Sequence, residues 1–311
     1  MNKIIIIFII FITLNLILFN KENFTENKKK NLTIVTAYFK VNRTRVVDGY
    51  TNGRKKENMP KDSDGIYKEW MKGLLSYNGP MIIYTDKHSF DYITDLRKNY
   101  PKTKIIKTSI DKLDAYKYFK DIDNTKKYAT MIWKEHDNNN INRDLYTIWN
   151  SKFGMLKQSV EDNPFNTHYF SWYDIGYIRE EKKLDKEWPD ENKLKILDDK
   201  LLFKIVYGGP DCTSDKKGSV AGNFIGCNKN NIHKIYDLFI LKLKKMTKDK
   251  KFTGNDQTLY QQLRCENTDL IKGIKGLKTD YWNHVPHHEW FYMIPYFYKK
   301  TFKTIEKFVS Y

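Results

Sequence analysis

One stretch of the chain, residues 168–179 ("HYFSWYDIGYIR"), carries side chains whose types and spacing suit chemistry. An apolar, aromatic run climbs to Asp174, and Gly176 and Arg179 follow. In open α/β sheets, ligands bind outside the carboxyl ends of strands. A carboxylate closing a strand therefore stands where a ligand would arrive. The glycine two residues on lets the backbone turn sharply and approach that ligand closely. A carboxylate there suits a hard, oxygen-seeking cation of the kind that clamps a diphosphate. Arg179 is near enough in sequence to reach the same phosphates, with a planar fork of donors matched to them. The same residues also permit a plainer role, in which Asp174 caps the next turn and Arg179 is a solvated surface charge.

Positioning such residues takes regular elements, and the sequence alternates them. Strands are predicted over 32–39 ("LTIVTAYF"), 81–86 ("MIIYTD"), 103–108 ("TKIIKT"), 168–174, 201–209 and 219–227, the last interrupted by glycine. Between them lie helical periodicities. Residues 66–77 place Ile66, Trp70, Leu74 and Tyr77 on one side, and 90–101 read as a helix stopped by Pro101. A single helix is predicted over 143–160, with Trp149 in its core stripe beside Leu145, Ile148, Phe153 and Leu156. Residues 230–246 form another helix, and 253–264 open one with Thr253 as N-cap. Strands alternating with helices predict an α/β domain with a mixed, mostly parallel sheet. Asp86 closes the second strand, where it could contact a base or ribose, or cap the following helix.

The chain has 311 residues, 40% of them hydrophobic and 15% aromatic, which excludes a disordered chain. Its formal charge is +17, from 55 Lys and Arg against 38 Asp and Glu. Such a charge could hold nucleic acid, anionic lipid or a phosphate-bearing substrate. The lysines are scattered rather than gathered into a stripe, so nucleic acid is not the expected partner. Residues 4–19 are apolar apart from Thr13 and Asn15, and "NKENFTENKKKN" follows without a small-x-small cleavage site. An uncleaved signal-anchor over 1–20 and a short stem over 21–30 are expected. A cleaved signal peptide, giving a secreted protein, is the alternative. Either places the body in a lumenal (ER or Golgi) or extracytoplasmic space, and Asn23, Asn31 and Asn42 open glycosylation triplets. Cys212, Cys227 and Cys265 allow one bridge, Cys212–Cys227 being nearer in sequence.

Several pieces together, "TIVTAYF", "YKEWMKGLL…PMIIYTD" and "LYTIWNSKFGMLKQSVEDNPFNTHYFSWYDIGYIR", resemble the WlaTC/HtrL (YibB-like) glycosyltransferase family over roughly residues 32–265. The most specific part is Trp149-Asn150-Ser151-Lys152, then Asn163-Pro164-Phe165, then Trp172-x-Asp174-x-Gly176-x-x-Arg179. The resemblance implies a GT-A type fold over 31–300, with a nucleotide-sugar half (31–180) and an acceptor half (181–300). It implies transfer of a sugar from a nucleotide-sugar donor to a glycan, lipid or protein acceptor. Thr36, Ala37 and Tyr38 would meet base and ribose, and Lys152 the sugar-phosphate. Gly222 and Asn223 would line the acceptor or donor-sugar pocket. In Asp256-Gln257, the acid would face sugar or acceptor and act as base. In such enzymes an Asp-x-Asp holds a divalent metal (manganese or magnesium). Here the tripeptide is Trp172-Tyr173-Asp174, one carboxylate short. A late histidine, His284, His287 or His288, would complete the metal shell. A non-catalytic glycan-binding or scaffold protein on a degenerate transferase fold is the alternative.

Overall fold

The computed structural model describes residues 30–41, 63–120, 143–179, 183–206, 212, 220–249, 256–277, 279 and 288–303. Seven strands form one sheet: β1 (Leu32–Tyr38), β2 (Met81–Thr85), β3 (Thr103–Lys107), β4 (Tyr169–Tyr173), β5 (Leu201–Ile205), β6 (Val220–Asn228) and β7 (Ile271–Lys275). Their order is β3-β2-β1-β4-β6-β5-β7. β6 runs antiparallel to β4 and β5, and the remaining pairings are parallel. The expected mixed, mostly parallel sheet is therefore present. Six helices of eight or more residues flank it among the described residues. They are α1 (Ser63–Leu74), α2 (Phe90–Arg97), α3 (Arg143–Asn150), α4 (Lys152–Asp162), α5 (Ile232–Lys248) and α6 (Asp256–Glu266).

The near-continuous apolar strands follow from burial on both faces. Alternate residues of each strand go to opposite sides. Val35 and Ala37 of β1 join Phe170 and Trp172 of β4 on the face covered by α4, α5 and α6. Leu32, Ile34, Tyr169 and Tyr173 join α1 and the C-terminal Met293–Phe297 turn on the other. That parity aims the residue after Tyr173 at the α4 side.

Three sequence expectations change here. The helix predicted over 143–160 is two helices, turned at Ser151, whose Oγ accepts the Ala115 N–H at 3.3 Å. Trp149 is half-buried rather than fully in the core. The disulfide joins Cys212 to Cys265, and Cys227 is a free thiol buried among core side chains of β6. The proposed anchor, stem and Thr253 cap lie outside the described residues. Among the described residues no helix is long and apolar enough to cross a membrane.

Candidate functional site

The order β2-β1-β4 makes the space between the ends of β1 and β4 a topological switch point. The chain leaves β1 outward to β2 and β3, then returns on its other side to β4. Crevices of this kind are where open α/β sheets take ligands. A cleft of ≈ 100 Å³ opens there, lined by Ala37, Tyr38 and Phe39 from β1 and Asp174, Gly176 and Arg179 after β4, among others. A larger one of ≈ 690 Å³ lies at the ends of β2 and β3, with Lys40, Asp86, Lys107, Lys112 and Arg143 in its wall. The two are adjacent in sequence at Phe39 and Lys40.

A turn after β4, closed by the Tyr177 N–H donating to the Asp174 carbonyl at 2.8 Å, carries the chain away from the sheet. It needs no positive φ at Gly176, and a Cβ there would meet Trp70 and Tyr67 at 3.4 and 3.5 Å, ordinary contact distances. The turn itself therefore does not require a glycine at 176. The Asp174 side chain is 41% exposed. Its Oδ1 accepts the Trp172 indole N–H at 2.8 Å and lies 3.0 Å from Lys152 Nζ. Trp172 stands where the sequence lacks a first carboxylate, and it serves Asp174 as a donor.

Lys152 is the first residue of α4 and is buried beneath the sheet ends. Its side chain is 3% exposed, and its Nζ donates to the Gly222 carbonyl at 2.7 Å. Asp256 Oδ2 lies 2.8 Å away, off the ideal hydrogen-bond line. Burial works against the ammonium, yet Asp174 and then Asp256 hold its pKa above the ordinary 10.5, so it stays charged. Burial likewise pushes the Asp256 carboxyl above its ordinary 3.8, against the pull of Lys152.

Gly222 makes this arrangement possible. Consecutive β5 residues Phe203 and Lys204 pair with Ile225 and Ala221, so Gly222, Asn223 and Phe224 bulge from the ladder. A Cβ on Gly222 would stand 2.5 Å from Asp256 Oδ1. Asn223 also lines the cleft. Its backbone carbonyl accepts the Asp174 N–H at 3.1 Å, its Nδ2 donates to the Trp290 carbonyl at 3.0 Å, and its Oδ1 is buried without a donor.

Other sequence candidates divide. Arg179 stacks between Trp70 and Phe291, 4.3 and 4.9 Å from the ring centres, at the cleft wall. Tyr38 lines the cleft and donates to Asp64, whereas Thr36 is fully buried beneath it. Asp86 caps the following turn, accepting from the backbone N–H groups of His88 and Ser89 at 2.9 Å, and also from that of Lys40. Asp256 and Gln257 open α6 behind the cleft and do not line it. His284 and His287 lie outside the described residues, as does the His288 side chain. Sequence reasoning gave no site role to Trp172, Trp149, Trp70 or Phe291, because aromatic residues in an apolar stripe or strand read as core.

Residues 30–284 match the family model described as "Bacterial protein of unknown function (HtrL_YibB)". The chain belongs to the HtrL_YibB family. No curated protein matches it. Among solved structures, mouse xyloside xylosyltransferase 1 in its apo form is similar at 11% identity and a TM-score of 0.44, covering 88% of this chain and 96% of its own. The 4-diphosphocytidyl-2C-methyl-D-erythritol synthase of Anaerococcus prevotii DSM 20548 is similar at 11% identity and TM-score 0.36, covering 86% and 97%. The matched HtrL_YibB region takes in β1–β7 and every residue of the Asp174–Lys152–Asp256 cluster.

Proposed function

We propose that this HtrL_YibB protein is a glycosyltransferase of GT-A type, moving a sugar from a nucleotide-sugar donor to a glycan, lipid or protein acceptor. The observation that carries the reading is the half-exposed Asp174 carboxylate at the β1–β4 switch point, beside Arg179 and backed by buried charge. The ≈ 690 Å³ cleft falls in the size range of small-ligand sites, roughly 300–1,000 Å³. Its cations suit a nucleotide, and the smaller cleft beside it suits the reacting sugar. Asn223 Oδ1, an acceptor lacking a donor, is suited to a sugar hydroxyl.

A divalent metal is implied by the resemblance. The described residues contain no group of three or more His, Cys, Asp or Glu that could hold one. Asp174 Oδ2 still fits an ion of the magnesium type, which takes one or two carboxylates and completes its shell from substrate phosphates and water. Such an ion would neutralise charge on the leaving diphosphate. Arg179 supplies a fixed cation at the same wall.

The test uses the full-length protein with UDP-, GDP- and CMP-sugars, with and without manganese, beside Asp174→Ala. Donor-specific turnover, falling by about 100-fold or more in the variant, is expected. Asp174 is part-exposed, so the variant should keep its fold by circular dichroism. Folded protein that binds and turns over none of the donors overturns the reading and favours a glycan-binding protein on the same scaffold.

A further inference from the structure

Sequence reading brings Lys152 to the ligand's phosphates, and the geometry assigns it a different task. An ammonium has three N–H donors. Three acceptors stand around this one: the Gly222 carbonyl at 2.7 Å, Asp256 Oδ2 at 2.8 Å and Asp174 Oδ1 at 3.0 Å. The Trp172 ring, 5.8 Å from Nζ, covers it further. Lys152 is in the wall of the smaller cleft, yet its side chain is only 3% exposed and its ammonium is turned to these three acceptors.

We infer that Lys152 is a positioning residue, buried in the cleft wall, that fixes Asp174 for the reaction while touching no ligand. Its contacts come from three other pieces of the chain: the end of β4, the β6 bulge and the start of α6. Holding Oδ1, together with the Trp172 indole, leaves Oδ2 as the Asp174 oxygen without a donor among the described residues. The lysine thereby selects which oxygen meets the ligand. Asp256, held on the same ammonium, keeps the lysine from swinging toward the cleft. A side chain fixed in this way supports a reacting group by preorganisation, not by contact.

The inference rests on the transferase reading, and its test separates the two. Diphosphate binding is titrated with UDP, GDP and CDP on the full-length protein in EDTA, so that no ion links Asp174 to the phosphates, and donor turnover is followed separately in Lys152→Met. If Lys152 acts through Asp174, turnover falls about 100-fold while the dissociation constant of the diphosphate stays within about threefold. If Lys152 binds phosphate, that constant rises with the loss of turnover, and the inference is overturned. Lys152→Met leaves two carboxylates without their cation and can fail to fold. Lys152→Met/Asp256→Leu removes one charge of each sign and is read in the same way. Wild-type protein supplies a further measurement, reductive methylation with peptide mapping. Lys152 is expected to remain unlabelled with or without UDP, GDP or CDP. Labelling in the free protein with protection by the diphosphate overturns the proposal. Binding of no diphosphate by the wild type, in EDTA or with manganese, overturns the transferase reading, and this inference with it.

Discussion

At the residue scale, two glycines near the cleft are under opposite constraints. Gly176 has room for a methyl group at ordinary contact distance, while at Gly222 that methyl would sit 2.5 and 2.6 Å from the two Asp256 carboxyl oxygens. Asp256 cannot yield easily, because Lys152 holds it and it opens α6. Gly222→Ala should therefore cost about 1–3 kcal/mol, the usual range for an overpacked site. Gly176→Ala should stay within about 0.5 kcal/mol. Urea unfolding of both variants checks this, and equal midpoints would show that the β6 bulge can relax around a methyl. Turnover should fall with Gly222→Ala, since the displaced carboxylate shares its lysine with Asp174.

At the element scale, the α3–α4 segment carries a charge on its buried side. Lys152 falls within the apolar stripe of Leu145, Ile148, Trp149 and Leu156, three, four or seven residues from each. It is the first residue of α4 and lies beneath β4 and β6. Its neighbour Asp256 then titrates with a sign that can be measured. Its native pKa lies above the ordinary 3.8, so the native state holds the proton more tightly than the unfolded one. That contribution is full below 3.8 and is lost as pH rises through the native value. Lys152, raised above 10.5, keeps its own contribution across this window and loses it only in stronger alkali. Wild type should therefore lose stability relative to Asp256→Asn as pH rises above 3.8, by up to about 1.4 kcal/mol per pH unit. Urea midpoints at intervals above pH 3 would show it, and parallel pH curves would mean that Lys152 fully offsets the burial of Asp256. Six of the seven strands were legible, most of them as buried apolar runs, and Asp174 was legible because it ends one; β7 was not, being a short edge strand interrupted by lysine and glycine. The charge cluster was not. It joins residues 152, 174, 222 and 256 across three separate connections, and neither the α3–α4 turn nor the β6 bulge leaves a periodic signature.

At the scale of the whole molecule, the disulfide shows how far sequence proximity can mislead. Cys212 and Cys227 are the nearer pair, yet β6 turns Cys227 inward among Phe170, Ile225 and Phe239, away from any partner. Burial there pushes its thiol well up, so it is an inert apolar side chain. Cys265, near the end of α6, is within 5.3 Å of Cys212 by Cα positions. The bridge spans 53 residues that include β6, α5 and most of α6, and so encloses both Gly222 and Asp256. Cross-linking a loop of that length restricts the unfolded chain, and such bridges typically contribute about 2–4 kcal/mol. Cys265→Ser should lower the unfolding free energy by that amount, and reductant should lower the wild type to the same level. Reductant should leave the variant unchanged. Cys227→Ala should keep the full reductant sensitivity of the wild type, because its thiol takes no part. Non-reducing peptide mapping that recovered Cys227 linked to Cys212 would overturn the pairing. Retained reductant sensitivity in Cys265→Ser would do the same.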